Sequence, residues 1–370
     1  MAAAIRHSAR LRATIFLSVV ALLALLLAST KAQAAPREFF GVMPQDGLSA
    51  EDYPRMGKAK VGTLRFQVHW SSIDPGPGPD YNWAPVDDLV AHLAANGIRP
   101  LPFIFGTPNW VAELDGHNCT GCGVFAPRRK PALKAFETFM ADLARRYGSN
   151  GTFWALNPQI PKKPIRTWQI WNEQNSPTFY APKPNVKKYL KLLQAAKAGV
   201  SIDRKAEVVV GGMFGTPLHG RKPAITSWDF LKKLYRIKGA HKYFDGVGIH
   251  PYAGTLKNVV KQTELMIDEI KKARDRKATT WVTELGWASE GPDTALVKTP
   301  KKQASNLKAS FRYFLKNRKK FNTKTVIWYS WRDDIDGEGL CEWCPGSGLL
   351  QENGKPKPSF KQFTKFTGGS

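Results

Sequence analysis

The stretch Thr167-Trp168-Gln169-Ile170-Trp171-Asn172-Glu173-Gln174-Asn175 decides how the rest of the chain is read. Its first half alternates β-branched and aromatic residues behind Arg166, which predicts a strand. It then delivers Asn172 and Glu173 side by side, ahead of a Pro-rich loop. Neither residue favours a strand, and a carboxylate held at a buried strand exit must be paired, protonated or functional. A second stretch is built the same way. Thr279-Thr280-Trp281-Val282-Thr283-Glu284-Leu285-Gly286-Trp287 reads as a strand that arrives at Glu284.

Outward from these two, strands and helices alternate. Further strands are expected over 38–43, 61–70, 98–105, 207–214, 244–252 and 325–331. Helical spacing is carried by Leu133, Phe136, Phe139, Met140 and Leu143, and by Leu256, Val259, Val260, Ile267 and Ile270. Other helices are expected over 51–60, 86–96, 185–202 and 228–237, around Leu307 to Leu315, and after Pro358. Gly97 reads as a left-handed helix cap and Asn185 as an N-cap. The strands are near-continuous apolar runs, as buried parallel strands should be. Eight such units over residues 35–370 predict a single-domain α/β fold, a (β/α)8 TIM barrel. A doubly wound open sheet is the alternative, disfavoured because no Gly-x-Gly-x-x-Gly turn follows the first strand.

The first 34 residues read as a secretory signal peptide. Arg6, Arg10 and Arg12 precede an apolar run from Ala13 to Ala28, and Ala32-Gln33-Ala34 is a small-x-small cleavage pattern. The run is short of the roughly 20 apolar residues that a spanning helix needs. An uncleaved anchor is the other reading. The sequence therefore predicts a secreted, extracellular protein with no stable membrane insertion after cleavage.

The chain carries a formal net charge of +25. Its lysines fall mostly on predicted helix surfaces, such as Lys187-Lys188, Lys232-Lys233 and Lys271-Lys272, and read as a solvated basic face. A sharper reading is attraction to an anionic glycan or cell-wall polymer. Nucleic acid is disfavoured, because no zinc-finger, helix-turn-helix or aromatic RNA-binding signature accompanies the charge. The four cysteines form two Cys-x-x-Cys pairs, Cys119/Cys122 and Cys341/Cys344. Expected export favours disulfides. Three connectivities are open, with local closure of each pair preferred, while His117 beside Cys119 keeps a metal site as an alternative.

On this layout Glu173 ends the fourth strand and Glu284 the seventh, both at the end of a barrel where active sites are built. One carboxyl kept protonated and one kept ionised is the pairing that glycosidic bond cleavage requires. Trp110, Trp287, Tyr180 and Trp343 lie on long connections at that end, where aromatic rings can stack on sugar faces or pack the loops.

These motifs resemble those of clan A, the large clan of retaining glycoside hydrolases on (β/α)8 barrels, and its cellulase-like or family 39-like members. In that clan the acid/base follows an Asn at the end of strand four and the nucleophile ends strand seven. Trp171-Asn172-Glu173 and Thr283-Glu284-Leu285-Gly286 look like those two motifs. The resemblance implies that Arg65 on strand two supports the nucleophile, that His250 and Tyr252 lie near it, and that Trp331 floors the sugar site. Asn172, Arg65, His250, Tyr252, Trp331, Trp110 and Trp287 are thus the expected substrate-binding residues. The stretch 348–358 is similar to one common after strand eight in the same members. The implied activity is hydrolysis of O-glycosidic bonds, with a carbohydrate partner and no metal or organic cofactor. A non-catalytic secreted glycan-binding barrel is the alternative, and a structural cell-surface protein explains the charge but not the paired glutamates.

Overall fold

In the computed structural model, eight parallel strands close on one another in sequence order, β1 pairing with both β2 and β8. The structure describes residues 35–370 apart from 79, 216–223 and 335–340. The signal peptide read over residues 1–34 lies outside the described residues. Among them, no helix is long and apolar enough to cross a membrane.

The chain runs β1 (Phe40–Met43), α1 (Asp52–Lys58), β2 (Thr63–His69), α2 (Trp70–Ile73), α3 (Ala84–Ala95) and β3 (Arg99–Phe105). Then come α4 (Asn109–Leu114), α5 (Lys130–Tyr147), α6 (Thr152–Leu156), β4 (Thr167–Ile170), α7 (Val186–Val200) and β5 (Glu207–Phe214). The last part holds α8 (Ser227–Tyr235), β6 (Gly246–His250), α9 (Leu256–Lys272), β7 (Thr279–Leu285), α10 (Pro300–Asn317), β8 (Thr323–Tyr329) and α11 (Pro358–Thr367). The expected barrel is therefore present. Asn185 caps α7, its side chain accepting from the Lys188 backbone N–H at 3.0 Å, and Gly97 closes α3 at φ +68°.

Several strand ends fall short of the sequence reading. β4 stops at Ile170, before Asn172 and Glu173, and β8 stops at Tyr329, before Trp331. The short helices α2, α4 and α6 were not expected. Each is six residues or fewer, too short to show a helical period in the sequence.

Two buried layers hold the barrel. Outside the sheet, helix stripes pack on the barrel and its connections: Phe311 of α10 stacks on Phe40 of β1 at 4.4 Å between centroids, and Trp70 of α2 stacks on Phe139 of α5 at 5.2 Å. Inside, Leu101, Val209 and Trp281 form an apolar plug, with Arg99 over the Trp281 ring at 5.1 Å. The next set inside is polar: Gln169 accepts from Arg65 Nε at 2.7 Å and donates to Thr283 Oγ1 at 3.3 Å. Polar side chains at that depth are costly unless fully bonded. These are, and they form the base on which the two glutamates stand.

Candidate active site

Alternation along a strand would send Thr283 and Glu284 to opposite faces. The register between β7 and β8 shifts between Val282 and Leu285, and such a bulge re-aims side chains. Thr283 reaches Gln169 and the adjacent Glu284 reaches Arg65, both inside the barrel.

Glu173 is placed differently. Trp171 has φ +70° and Glu173 φ +43°, a region that bulky residues rarely enter and that costs about 1–3 kcal/mol per residue. The turn is held from both sides. Trp171 donates its backbone N–H to Ile104 O at 2.9 Å and its Nε1 to Phe179 O at 2.6 Å. The Glu173 N–H donates to Gly212 O at 2.8 Å. Asn172 lies between them and accepts from Arg65 Nη2 at 2.8 Å.

Arg65 organises the centre. It is fully buried, donates Nη1 to Glu284 Oε1 at 2.6 Å, and lies 4.0 Å from the ring centroid of Phe103. Tyr252 donates its hydroxyl to Glu284 Oε2 at 2.9 Å. His250 Nδ1 is 2.9 Å from Glu173 Oε1 and 3.4 Å from Glu284 Oε2, so it faces both carboxylates. One carboxylate oxygen of Glu173, one of Glu284 and a ring nitrogen of His250 all lie within 4.8 Å of one another.

Electrostatics separate the two carboxyls. Burial pushes Glu173 well above the usual range, and the charge of Glu284 pushes it further. Burial also raises Glu284, but Arg65 and the Tyr252 hydroxyl oppose it. Both carboxyls are thus raised, Glu173 the further, because Arg65 and Tyr252 bond to Glu284 and not to Glu173. Burial, helped by the Arg65 charge, depresses His250 well below an ordinary imidazole, leaving the ring neutral. Among the described residues, Glu173, His250 and Glu284 are the one donor set close enough for a metal ion. The guanidinium bonded to Glu284 already puts a positive charge on that carboxylate, which disfavours a second cation there.

The structure gathers Arg65, Asn172, Glu173, His250, Tyr252 and Glu284 into one site, and it corrects two expectations. Trp331 is fully buried, donates Nε1 to Asp52 Oδ1 at 2.8 Å and packs against Phe360 of α11, so it offers no open face to a sugar. Trp287 is also fully buried, bonded to Ala253 O at 2.8 Å and packed against Trp328. Trp110 is half-buried and lines a cavity of about 360 Å³ with Asp74, Tyr81, Lys134 and Asp142, and none of these is among the hydrogen-bond or ion-pair partners of either glutamate. Cys119 pairs with Cys122 and Cys341 with Cys344, the local closure expected.

Sequence reasoning missed three participants. Gln169 carried a signal, being an amide in an otherwise apolar strand. Tyr329, whose hydroxyl is pushed up by burial and by the charges of Glu284 and Glu173, ends β8 where Trp331 was expected. Gly212 is needed because an added Cβ would meet His250 Nε2 at 1.9 Å and Thr283 Oγ1 at 2.5 Å. The Val208-Val209-Val210 run ahead of it gave no hint of that contact.

The fold and site define a (β/α)8 barrel with a two-carboxylate centre at the C-terminal ends of its strands. No family model matches the chain, and no curated protein does. Among solved structures it is similar to a family 39 glycoside hydrolase from the gut symbiont Bacteroides cellulosilyticus WH2, with a TM-score of 0.64 at 21% identity. That match covers 90% of this chain and 63% of the other, so the chain spans less than two thirds of that protein. It is also similar to a monomeric beta-xylosidase from Caulobacter crescentus CB15, with a TM-score of 0.61 at 16% identity, covering 90% of this chain and 68% of the other. Xylanase 10B from Thermotoga maritima matches with a TM-score of 0.59 at 16% identity, covering 90% and 95%. At these identities the likeness is one of fold.

Proposed function

We propose that the chain is a retaining glycoside hydrolase that cleaves β-linked sugars by double displacement. The observation that carries this reading is the pair of carboxylates: one oxygen of Glu173 and one of Glu284 lie within 4.8 Å, in keeping with the close pairing, about 5–5.5 Å between carboxyl groups, that retention uses. Glu284 attacks the anomeric carbon and forms a glycosyl ester as the bond to the leaving oxygen breaks. Glu173 gives that oxygen its proton. The negative charge on Glu284 is lost in the ester, so the carboxyl of Glu173 becomes more acidic, and its carboxylate then takes a proton from the water that cleaves the ester. Asn172, held by Arg65, is placed to hydrogen-bond the sugar beside the reacting carbon.

The structurally similar proteins named as a xylosidase and a xylanase make β-xylosides the first substrates to try. The basic surface favours polymers with acidic substituents. Export is supported by the leader pattern in residues 1–34 and by the two cysteine pairs. A panel of aryl β-xylosides, β-glucosides and β-galactosides, with product anomers followed by NMR, tests the proposal. The expected result is turnover of at least one member with the β anomer formed first. A first-formed α anomer would exclude retention, and binding without turnover across the panel would favour a glycan-binding barrel.

A further inference from the structure

The connection after β8 carries a tryptophan for which the proposed chemistry has no use. Trp343 sits between Cys341 and Cys344, which are bonded to each other, and is only 4% exposed. Its ring meets that of Tyr252 edge-on at 5.0 Å between centroids and lies 6.1 Å from that of Tyr329. Among the described residues its Nε1 has no hydrogen-bond partner. The segment around it is pinned from two loops. Ser289 N donates to Gly346 O at 2.9 Å, Lys357 Nζ to Gly346 O at 3.1 Å and to Asp333 Oδ1 at 2.6 Å, and Asp334 N to Pro345 O at 3.0 Å.

We propose that Trp343 is a positioning residue for Glu284: it braces Tyr252 so that the phenol stays on the carboxylate, and the Cys341–Cys344 disulfide holds Trp343 in place. Its consequence for catalysis rests on the glycosidase reading; its geometry does not. The Tyr252 ring is flanked by Trp343 at 5.0 Å and by His250 at 6.2 Å, and its hydroxyl is 2.9 Å from Glu284 Oε2. The groups facing Glu284 are Arg65 from β2, Glu173 after β4, His250 and Tyr252 from the end of β6, and Tyr329 from β8. Around the segment that holds Trp343, the charged groups among the described residues are Glu342 within it, Glu290 after β7, and Asp333, Asp334 and Lys357. Two of the groups facing Glu284, Tyr252 and Tyr329, have rings against Trp343; Tyr252 is the nearer, at 5.0 Å against 6.1 Å, and is the one whose hydroxyl donates to Glu284, so the influence runs through that hydroxyl. A hydrogen bond to the ionised carboxylate favours ionisation, and loosening it raises the pKa.

The test follows the side-chain carboxyl carbon of Glu284 by 13C NMR against pH in the whole protein. It needs no turnover, so its failure is distinct from the failure of the glycosidase reading, which an inactive wild type would reveal. In Trp343→Ala the midpoint is expected to rise by about half to one unit, a threefold to tenfold change in the acidity constant. Trp343→Phe, which still offers a ring to Tyr252, should return it close to the wild-type value, and Cys341→Ser/Cys344→Ser should raise it part of the way. An unmoved midpoint in a Trp343→Ala protein that has merely lost thermal stability would overturn the proposal. So would a Trp343→Phe midpoint raised as far as that of the alanine variant. Should the alanine variant fail to fold, the double serine variant decides: a raised midpoint supports the proposal and an unmoved one overturns it.

Discussion

Arg65 Nη1 lies 2.6 Å from Glu284 Oε1, a buried ion pair joining β2 to β7, while among the described residues no arginine or lysine pairs with Glu173. In the proposed mechanism, that asymmetry gives the two neighbouring carboxylates different work. A guanidinium cannot be deprotonated under ordinary conditions, so it stabilises charge on one glutamate at every working pH. Glu173 has the charge of Glu284 nearby and a neutral imidazole at 2.9 Å.

Arg65→Met should therefore disable the nucleophile. Without its counter-charge Glu284 titrates higher, so the acid limb of kcat/KM against pH should move upward, and kcat/KM at neutral pH should fall by about a hundredfold or more. Removing one partner of a buried pair also destabilises, by about 3–5 kcal/mol, which urea unfolding would measure. Arg65→Lys keeps the charge but cannot reach Gln169, Asn172 and Glu284 together, so it should recover only part of either loss.

Glu284→Gln should abolish turnover, because an amide cannot form the glycosyl ester. Glu173→Ala should behave otherwise. Substrates with poor leaving groups should lose far more rate than activated aryl glycosides, which need little protonation, and added azide should restore deglycosylation and yield a β-glycosyl azide. Equal losses for both substrate kinds, with no azide product, would remove Glu173 as the acid/base. The check is a leaving-group series read with and without azide.

Gly212→Ala tests how the floor of the site is fitted. The new Cβ would meet His250 Nε2 at 1.9 Å, and His250 is fully buried with packing on all sides, so the ring must leave its place. The contact from His250 Nδ1 to Glu173 should be lost, with kcat falling at least about tenfold while Gly212→Ala remains folded by circular dichroism. A crystal structure of the variant with His250 unmoved and activity intact would refute this.

How far the sequence reached depends on which interactions leave a pattern. The barrel was legible because parallel strands buried on both faces read as apolar runs, and the eight runs were separated by helices with clear stripes. Glu173 and Glu284 were legible because a carboxylate at the end of an apolar strand breaks its surroundings. Trp331 misled because it closes an apolar run that suggested a strand end, whereas the strand stops at Tyr329 and the tryptophan turns toward Asp52 of α1. Trp287 misled for a related reason: a loop aromatic looks the same in sequence whether it faces a cleft or, as here, packs on Trp328. The left-handed backbone at Trp171 and Glu173 and the bulge before Leu285 left no trace either, since neither position carries a glycine.

Glu173→Gln offers a test of the proton assignment that needs no substrate. In the unfolded chain Glu173 titrates at about 4.3, and in the folded protein burial and the charge of Glu284 raise it well above that. Between the two values the folded state binds more protons than the unfolded one, so the stability contributed by this group is present below the unfolded value and is lost as pH rises through the folded one. Above it, the wild type must keep two buried carboxylates ionised within 4.8 Å. The amide introduced by Glu173→Gln would stand in for the protonated acid at every pH. Between about pH 4 and pH 8 the variant should therefore melt close to the wild type at the acid end and increasingly above it as the pH rises, the gap widening from the unfolded value of Glu173 and levelling off beyond its folded pKa. Melting temperatures of both proteins across that range are the measurement. A gap that stays constant with pH would mean that folding leaves the pKa of Glu173 where it is in the unfolded chain, and would take from it the role of proton donor.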